Sequence, residues 1–229
     1  MLAPMADTAP TLTRDGDVHV LDLGDGENRF NPTWVDAVAA HLATVEATEG
    51  PRALVTTATG KFFSNGLDLE WMGAHGDEVA DFLPRVHGLF SAFLVAGVPT
   101  VAAIQGHCFA AGAMLAVAHD QRVMRADRGF LCLPEVHIRI PFTPGMSALL
   151  AAKLDPSTAH EAMTTGRRYG GSDALAARIV DEAVGEDEVL PRAVERARAL
   201  AANDGATLKA IKERLHAPAV AALAAPQGL

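Results

Sequence analysis

The chain has 229 residues, which is enough for one domain with its own hydrophobic core. Hydrophobic residues make up 49% and charged residues 21%, so the composition is that of a globular protein and excludes a disordered chain. The net charge of −9 argues against a nucleic-acid partner, because binding to a phosphate backbone requires a basic face.

The alternation of apolar runs and turn-forming residues predicts alternating strands and helices, and therefore an α/β fold. Strands are expected at 17–23, 52–58, 100–104, 121–124, 130–133 and 179–184. Helices are expected from Asn31-Pro32 onward and at 77–93, 110–118, 145–154, 156–164, 172–177, 191–202 and 206–217. Pro84 predicts a kink or break in the second helix, and Pro218 is expected to end the last one. We divide the chain into a core over 1–200 and a C-terminal helical segment over 201–229 that is expected to contact other subunits.

The segment 89–118 contains no Asp, Glu, Lys or Arg, so by length it could be a membrane-spanning helix. Turn residues interrupt it at 97–99 and 105–107. We therefore expect a buried helix, strand and helix there, and no membrane partner. Cys108 and Cys132 lie in apolar surroundings and form no CxxC motif, which favours reduced thiols and a cytoplasmic location.

Most catalytic signatures are absent from the sequence. The chain has no Walker loop and no G-x-S-x-G elbow, and Gly24-Asp25-Gly26 lacks the third glycine of a dinucleotide-binding motif. The nine histidines do not have metal-ligand spacing, so no metal site is expected.

Two predicted strand-to-helix turns, at 63–68 and 105–112, are the remaining candidates for a site. Both contain small residues that let the backbone approach a ligand, and both are expected to open a helix. Free N–H groups from the two turns could converge on one oxygen and form an oxyanion hole. Each turn taken alone is better explained as an ordinary tight turn.

Three blocks of sequence resemble the crotonase superfamily of acyl-CoA enzymes. They are LVTTATGKFFSNGLDL, PTVAAIQGHCFAAGAMLAVAHDQRVM and FLCLPEVHIRI, and they occur in the family's order within a resemblance that runs from about residue 17 to about residue 184. The resemblance implies the crotonase (ClpP-like) α/β fold of repeated ββα units with C-terminal helices. The middle block is most similar to the peroxisomal-type Δ3,Δ2-enoyl-CoA isomerases.

The resemblance also implies roles for individual residues. The backbone N–H groups of Leu67 and Ala111 would bind the thioester oxygen, and Glu135 would be the catalytic acid or base. An apolar setting would raise the pKa of Glu135 toward a useful base strength. The implied substrate-binding residues are Arg29, Phe30, Lys61, Ser64, Asn65, Gly66, Asp68, Leu69, Gly106, Gly112, Met114, Pro134 and Arg139.

One missing carboxylate decides the predicted chemistry. Hydratases of this family use two glutamates, and the first of these positions is Met114 here, whereas the second is Glu135. A single carboxylate can remove a proton beside a thioester and return it two carbons away. The resemblance therefore favours an isomerase that converts 3-enoyl-CoA to 2-enoyl-CoA in fatty-acid β-oxidation, with no cofactor beyond the coenzyme A of its substrate.

Several alternatives stay open at the level of sequence. The chain could be a hydratase, another acyl-CoA lyase or hydrolase, or a non-catalytic acyl-CoA-binding protein. A peptidase is disfavoured, because Ala110 stands where the Clp-type peptidases that resemble this fold carry their serine. Arg139 stands where the family commonly has glycine, and it could narrow the acyl pocket, pair with Glu135 or bind a polar acyl group. Relatives of this kind imply a homotrimer or hexamer.

Overall fold

The computed structural model describes residues 9–226. Residues 1–8 of the predicted core and residues 227–229 of the predicted C-terminal segment lie outside the described residues. The strands are β1 (Thr11–Asp15), β2 (Val18–Asp22), β3 (Ala53–Thr57), β4 (Phe62–Ser64), β5 (Thr100–Ile104), β6 (His107–Phe109), β7 (Gln121–Arg125), β8 (Leu131–Cys132), β9 (Arg168–Tyr169) and β10 (Glu182–Val184). The helices are α1 (Pro32–Glu46), α2 (Leu69–Ala74), α3 (Val79–Leu94), α4 (Ala111–Ala118), α5 (Glu135–Ile138), α6 (Pro144–Lys153), α7 (Pro156–Thr165), α8 (Gly171–Ala176), α9 (Val189–Leu200), α10 (Gly205–Leu215) and α11 (Ala217–Ala224).

The strands form a large and a small sheet. The large sheet has the order β1-β2-β3-β5-β7-β10, and the small sheet has the order β4-β6-β8-β9. Pairing is parallel except at β1–β2 and β8–β9. Strands β3 and β5 are buried along their whole length, as expected for apolar strands inside a parallel sheet.

Three consecutive ββα units bring the site together. Strands β3, β5 and β7 lie in the large sheet, and each is followed by a strand of the small sheet, β4, β6 and β8 in turn. Helices α2, α4 and α5 follow these three strands of the small sheet. Because β4, β6 and β8 are parallel neighbours, their carboxyl ends lie at one edge, and the chain leaves each strand toward a helix at that edge.

Glycine is required where the chain passes from one sheet to the other. A Cβ atom at Gly60 would lie 2.0 Å from the carbonyl oxygen of Asp25, and one at Gly106 would lie 2.2 Å from that of Lys61. No side chain fits at such distances, so these two corners can pack only without a Cβ.

Most of the predicted elements are present. Helix α1 begins as expected, with the Asn31 side chain accepting a hydrogen bond from the backbone N–H of Trp34. Pro84 does not end the helix, because α3 continues through it. The predicted break is therefore not found. The missing N–H of Pro84 falls in the second turn of this helix, and buried residues on both sides, such as Phe82 and Val86, hold it in place.

The elements that sequence reasoning missed are short. They are β1, β4, β6, β9, α2, α5 and α11. The role expected for Pro218 was wrong in part: α10 already ends at Leu215, and Pro218 lies in the first turn of α11. A proline is tolerated there because the N–H that it lacks would have no intrahelical acceptor.

The last helices pack on the body of the same chain. A Cβ atom at Gly145 in α6 would lie 2.9 Å from the Cα of Leu223 in α11, so these two helices are in close contact. Buried Lys212 in α10 donates to the Asp120 carboxylate at 2.7 Å and to the carbonyl of Val98 at 3.2 Å. Helices within 9–226 are all too short or too polar to cross a bilayer.

Candidate active site

A cavity of about 310 Å³ opens at the carboxyl edge of the small sheet. Its lining is mainly apolar and comes from the ends of β4, β6 and β8 together with α2, α3 and α6. The lining residues are Arg29, Asn65, Leu67, Leu69, Met72, Leu83, Phe109, Ala110, Ala111, Met114, Pro134, Glu135, Ile138, Ile140, Pro141, Thr143 and Met146. Among these lining residues, all of which belong to the described part of the chain, Glu135 is the only carboxylate and Arg29 is the only cation.

Leu67 presents its backbone N–H on the side away from the neighbouring chain segment. Phe30 N–H donates to the carbonyl of Gly66 at 2.8 Å, and Asp68 N–H donates to the carbonyl of Phe30 at 3.0 Å. In such a parallel bridge, the residue between the two bonds directs its own N–H to the opposite side. Leu67 lines the cavity, and its N–H has no acceptor among the described residues.

Buried polar contacts hold this first turn in place. The Ser64 hydroxyl donates to the carbonyl of Asn28 at 2.7 Å and accepts from Gly66 N–H at 3.1 Å. The Asn28 side chain donates to the carbonyls of Phe62 and Phe63 at 3.2 and 3.1 Å. Because Ser64 and Asn28 are both buried, these bonds exclude water and restrict the path of the turn.

Ala110 turns the chain sharply from β6 into α4. Its backbone has φ +50° and ψ −125°, a conformation that non-glycine residues rarely adopt. Ala110 N–H donates to the carbonyl of Cys132 at 3.0 Å, which fixes the turn against β8. The next residue, Ala111, is the first residue of α4, so its N–H has no intrahelical acceptor. Ala111 also lines the cavity. Strain of this kind is common at functional sites.

The two turns are in direct contact through glycines. A Cβ atom at Gly66 would lie 2.9 Å from Ala110 Cβ and 3.1 Å from Ala111 N. A Cβ atom at Gly112 would lie 2.6 Å from Ser64 Cβ. The Leu67 and Ala111 amides therefore lie on adjacent turns at one cavity, and the dipole of α4 adds positive potential. This arrangement can stabilise an oxyanion.

Glu135 faces the same cavity from the start of α5. Its side chain is 6% exposed, and within residues 9–226 its Oε2 atom has no hydrogen-bond partner. Burial raises the pKa of Glu135 to about 7, against the opposing effect of a hydrogen bond from its own backbone N–H. A carboxylate with a pKa near neutrality is suited to act as a general base.

The structure shows no second carboxylate in the described lining of this cavity. Met114, at the position of the first hydratase glutamate, is 1% exposed and lines the cavity with its thioether chain. Asp68 is nearby in sequence, but its side chain caps α2 by accepting from the N–H of Trp71 at 3.0 Å, and it does not line the cavity. Acid–base chemistry here therefore falls to one carboxylate.

Arg29 lies at the cavity among acidic side chains. Its Nε donates to the Glu27 carboxylate at 2.7 Å, and Asn65 donates to the same oxygen at 2.8 Å. Its guanidinium is 4.0 Å from Asp68 and 3.9 Å from Glu70. The hydrogen bond with Glu27 is the main reason why the pKa of Arg29 is raised. The cation is thus held in a defined position at the cavity.

The predicted site residues divide into three groups. Those that line the cavity are Leu67, Ala111, Glu135, Arg29, Asn65, Leu69, Met114 and Pro134. Those that lie next to it and shape the turns or their surroundings are Phe30, Ser64, Gly66, Asp68 and Gly112. Lys61 and Gly106 instead line a separate cavity, because strand β6 lies between Gly106 and the turn at Ala110.

Arg139 does not line the cavity that contains Glu135. It is exposed, it forms no ion pair with Glu135, and it ends α5 with φ +61° and ψ 33°. Glycine adopts this left-handed backbone without a steric cost, which is consistent with the glycine that the family resemblance implies at this position. The unusual feature at Arg139 is therefore its backbone conformation, not a side chain that enters the cavity.

Sequence reasoning missed much of the apolar lining. Met72, Leu83, Pro141, Thr143 and Met146 lie outside the three quoted blocks, and Phe109, Ile138 and Ile140 lie inside them without a predicted binding role. Thr143 caps α6 by accepting from the N–H of Met146 at 3.1 Å, and its hydroxyl is 3.0 Å from Nε2 of buried His87. Only the folding of α3 and α6 against the small sheet brings these residues to the cavity.

Comparison with known proteins gives consistent results. A family model described as enoyl-CoA hydratase/isomerase matches residues 15–227. Enoyl-CoA delta isomerase 2, peroxisomal, of Arabidopsis thaliana is 40% identical over 189 residues, which cover 78% of each chain. Enoyl-CoA delta isomerase 3 of the same plant is 39% identical over 184 residues, or 76% of each chain.

A solved structure is similar over nearly the whole chain. The structure of a probable enoyl-CoA hydratase from Mycobacterium tuberculosis H37Rv superimposes with a TM-score of 0.88 at 28% identity, covering 96% of this chain and 93% of that one. The match, together with the family model, confirms the fold class predicted from the sequence.

The contact between the two turns leads to a prediction about stability. In Gly112→Ala the added methyl group would collide with Ser64, so we expect the free energy of unfolding to fall by about 1–3 kcal/mol, as in other overpacked cores. Urea denaturation measures this change. Gly88→Ala in α3 is the matched control, because a Cβ there meets nothing within 4 Å and alanine favours a helix. Equal stability of Gly112→Ala and wild type would show that the turns are not in contact.

Proposed function

Because the chain belongs to the enoyl-CoA hydratase/isomerase family, we propose that it moves the double bond of a 3-enoyl-CoA to give the 2-enoyl-CoA. It is an acyl-CoA enzyme of that family. The observation that carries the choice of isomerase is the single carboxylate, Glu135, among the described residues that line the cavity. Two relatives named as enoyl-CoA delta isomerases support it.

In the proposed complex, the thioester oxygen accepts hydrogen bonds from the N–H groups of Leu67 and Ala111. When the substrate loses a proton, negative charge develops on that oxygen, and the two amides stabilise it more strongly than the neutral carbonyl. Loss of one such donor costs about 3–4 kcal/mol of transition-state stabilisation in other enzymes. Both donors are backbone groups, so leucine and alanine side chains are compatible with this role.

Glu135 carries the proton in both steps. Its carboxylate removes a proton from C2, the C–H electron pair forms a C1=C2 double bond, and the carbonyl π electrons move onto the thioester oxygen. The resulting enolate is conjugated with the C3=C4 double bond and is therefore a dienolate. The protonated Glu135 then gives the same proton to C4, and the double bond settles between C2 and C3. The reaction is balanced without water, metal or redox cofactor, so the proposed step requires no group beyond the acyl-CoA and the chain's own residues.

The apolar lining supports this assignment over hydration. Adding water to a double bond requires a base to activate the water and an acid to deliver a proton, which two carboxylates share in the hydratases that this sequence resembles. Met114 is an apolar side chain at one of those positions, and Asp68 is occupied as a helix cap. With one carboxylate, proton transfer between carbons is the chemistry that the site supports best.

The lining suits the two parts of an acyl-CoA. Arg29 and Asn65 provide polar groups for the coenzyme A portion. Met72, Leu83 and Met146 provide an apolar surface for the acyl chain. In this orientation the thioester lies between the polar and the apolar part, next to the two amides.

The assignment is tested by turnover of 3-enoyl-CoA. For Glu135→Gln we expect kcat/KM to fall about 10²–10⁴-fold, since a general base is lost while the shape of the cavity is kept. Glu213→Gln in α10 is the control, because this exposed carboxylate does not line the cavity and forms no ion pair with the described residues. Equal rates for wild type and Glu135→Gln would reject the isomerase mechanism.

Two other outcomes of the same assay would favour rival functions. Hydration of crotonyl-CoA with an efficiency comparable to isomerisation would favour a hydratase. Binding of coenzyme A thioesters without turnover of any of them would favour a non-catalytic binding protein.

The raised pKa of Glu135 predicts a pH dependence. The proposed base must be ionised, so kcat/KM for 3-enoyl-CoA should rise as the pH increases through about 7 and level off above it. A pH–rate profile measures the change, and Glu135→Gln should lose it. Activity that decreases through this pH range would mean that the protonated form is the active one.

Assembly and location remain predictions. Helix α10 exposes Ile211 (55%) and Leu215 (69%), which is consistent with the expected homotrimer or hexamer. Sedimentation velocity would reveal the assembly, and a stable monomer would contradict it. The cytoplasmic location predicted from the cysteines can be checked by fractionation of cells that express the chain.

A further inference from the structure

A second cavity of about 310 Å³ lies at the carboxyl ends of β3, β5 and β7. In the described chain it shares no lining residue with the cavity that contains Glu135, which we call the acyl-side cavity. Gly60, Gly106 and Gly129 form turns in its wall, and a Cβ atom at Gly129 would lie 2.7 Å from the backbone of Gly106. The carboxyl ends of parallel strands are a common location for ligand sites in open α/β sheets.

Basic side chains dominate the lining of this cavity. Lys61, Arg125 and Arg128 line it, together with the single carboxylate Glu186 among the described residues. Arg125 forms ion pairs with Glu186 and, at 2.8 Å, with Asp127. Lys61 and Arg128 have no carboxylate partner within 4.0 Å in residues 9–226. A chain with a net charge of −9 thus places two exposed cations without a carboxylate partner at the lining of one half-open cavity.

The electrostatics of His107 support this positive potential. Its ring lies in the lining, and its pKa is lowered first by burial and then by the charges of Lys61, Arg168 and Arg128. The three cations are therefore close enough to act on one buried group. A neutral His107 can still form a hydrogen bond with an occupant.

One residue of the lining, Gln105, also has a buried hydrogen-bond acceptor without a donor. The Gln105 side-chain nitrogen donates to the carbonyls of Gly60 and Phe62 at 3.0 and 3.1 Å, and these two bonds determine which way the amide faces. Its Oε1 atom is buried and has no partner among the described residues, and the same holds for Nδ1 of His107. Buried polar atoms without partners are rare, so an occupant that donates a hydrogen bond would complete the site.

We propose that this second cavity binds a phosphate-type anion through Lys61 and Arg128, with the Gln105 side-chain oxygen accepting a hydrogen bond from the P–OH group. Near neutral pH a phosphate carries both negative oxygens and a hydroxyl, so it matches the cations and the acceptor at once. Sulfate has the negative oxygens but no hydroxyl. The site should therefore prefer phosphate to sulfate.

The chemistry has two possible sources. The anion is either free inorganic phosphate or the 3′-phosphate of an acyl-CoA in its singly ionised form, which keeps one P–OH group. The second case rests on the proposed function. The two cavities are electrostatically connected, because the charge of Lys61 acts on Glu27, whose carboxylate binds Arg29 and Asn65 of the acyl-side cavity.

Calorimetric titration with inorganic phosphate tests the proposal without any turnover. We expect saturable binding to the wild type, weaker binding of sulfate at equal ionic strength, and an affinity about tenfold or more lower in Arg128→Gln. Arg214→Gln in α10 is the matched control, because it removes the same charge from an exposed arginine outside the cavity. We expect its affinity for phosphate to equal that of the wild type.

Two results would overturn the proposal. One is the absence of saturable phosphate binding to the wild type, and the other is equal affinity for phosphate in wild type and Arg128→Gln. Equal binding of phosphate and sulfate would remove the role of Gln105.

Binding of coenzyme A and of 3′-dephospho-coenzyme A then distinguishes the sources. If the cavity takes the coenzyme's phosphate, the dephospho form binds the wild type more weakly, and Arg128→Gln reduces the difference. If it takes free phosphate, the two forms bind equally and phosphate still binds in their presence. Failure of both coenzyme forms to bind would count against the proposed function and leave the phosphate site supported.

Discussion

The chemistry of this protein depends on the close contact between two turns. Gly66 and Gly112 have no Cβ, so the turn after β4 and the turn after β6 pack at distances that any side chain would prevent. The contact brings two backbone amides to one cavity although they are 44 residues apart in sequence (Leu67 and Ala111). Helix dipole, buried hydrogen bonds and sheet register all act to preserve this one arrangement.

Two other features of the site, the strained backbone of Ala110 and the burial of Glu135, cost free energy in the folded protein. Ala110 adopts a strained backbone conformation at the turn from which Ala111 begins α4 at the cavity. Glu135 loses hydration when it is buried beside the turns, which raises its pKa into the range of a useful base. The large apolar core beneath both sheets supplies the stability that allows such local strain.

Much of the fold was predictable because its signals are local. The strand at 100–104, the start of α1 at Asn31-Pro32 and the helix after Ala110 follow from apolar periodicity and from turn chemistry. Strands β4, β6 and β9 have three residues or fewer, and α5 has four, so their sequences contain too few residues for a period to be visible. These short elements are stabilised by pairing with one another, which a sequence window cannot show.

The sequence by itself determined the family resemblance, because those motifs need particular residues at particular spacings. That resemblance implied the ββα units and the choice of Glu135 with Leu67 and Ala111. Only the tertiary structure decided that Gly106 and Lys61 lie at a second cavity, that Asp68 caps a helix, and that the unusual feature of Arg139 is its left-handed backbone. The physical reason is that cavities and long-range contacts arise where separate segments meet. Their geometry depends on packing between residues far apart in the chain, and no local pattern records it.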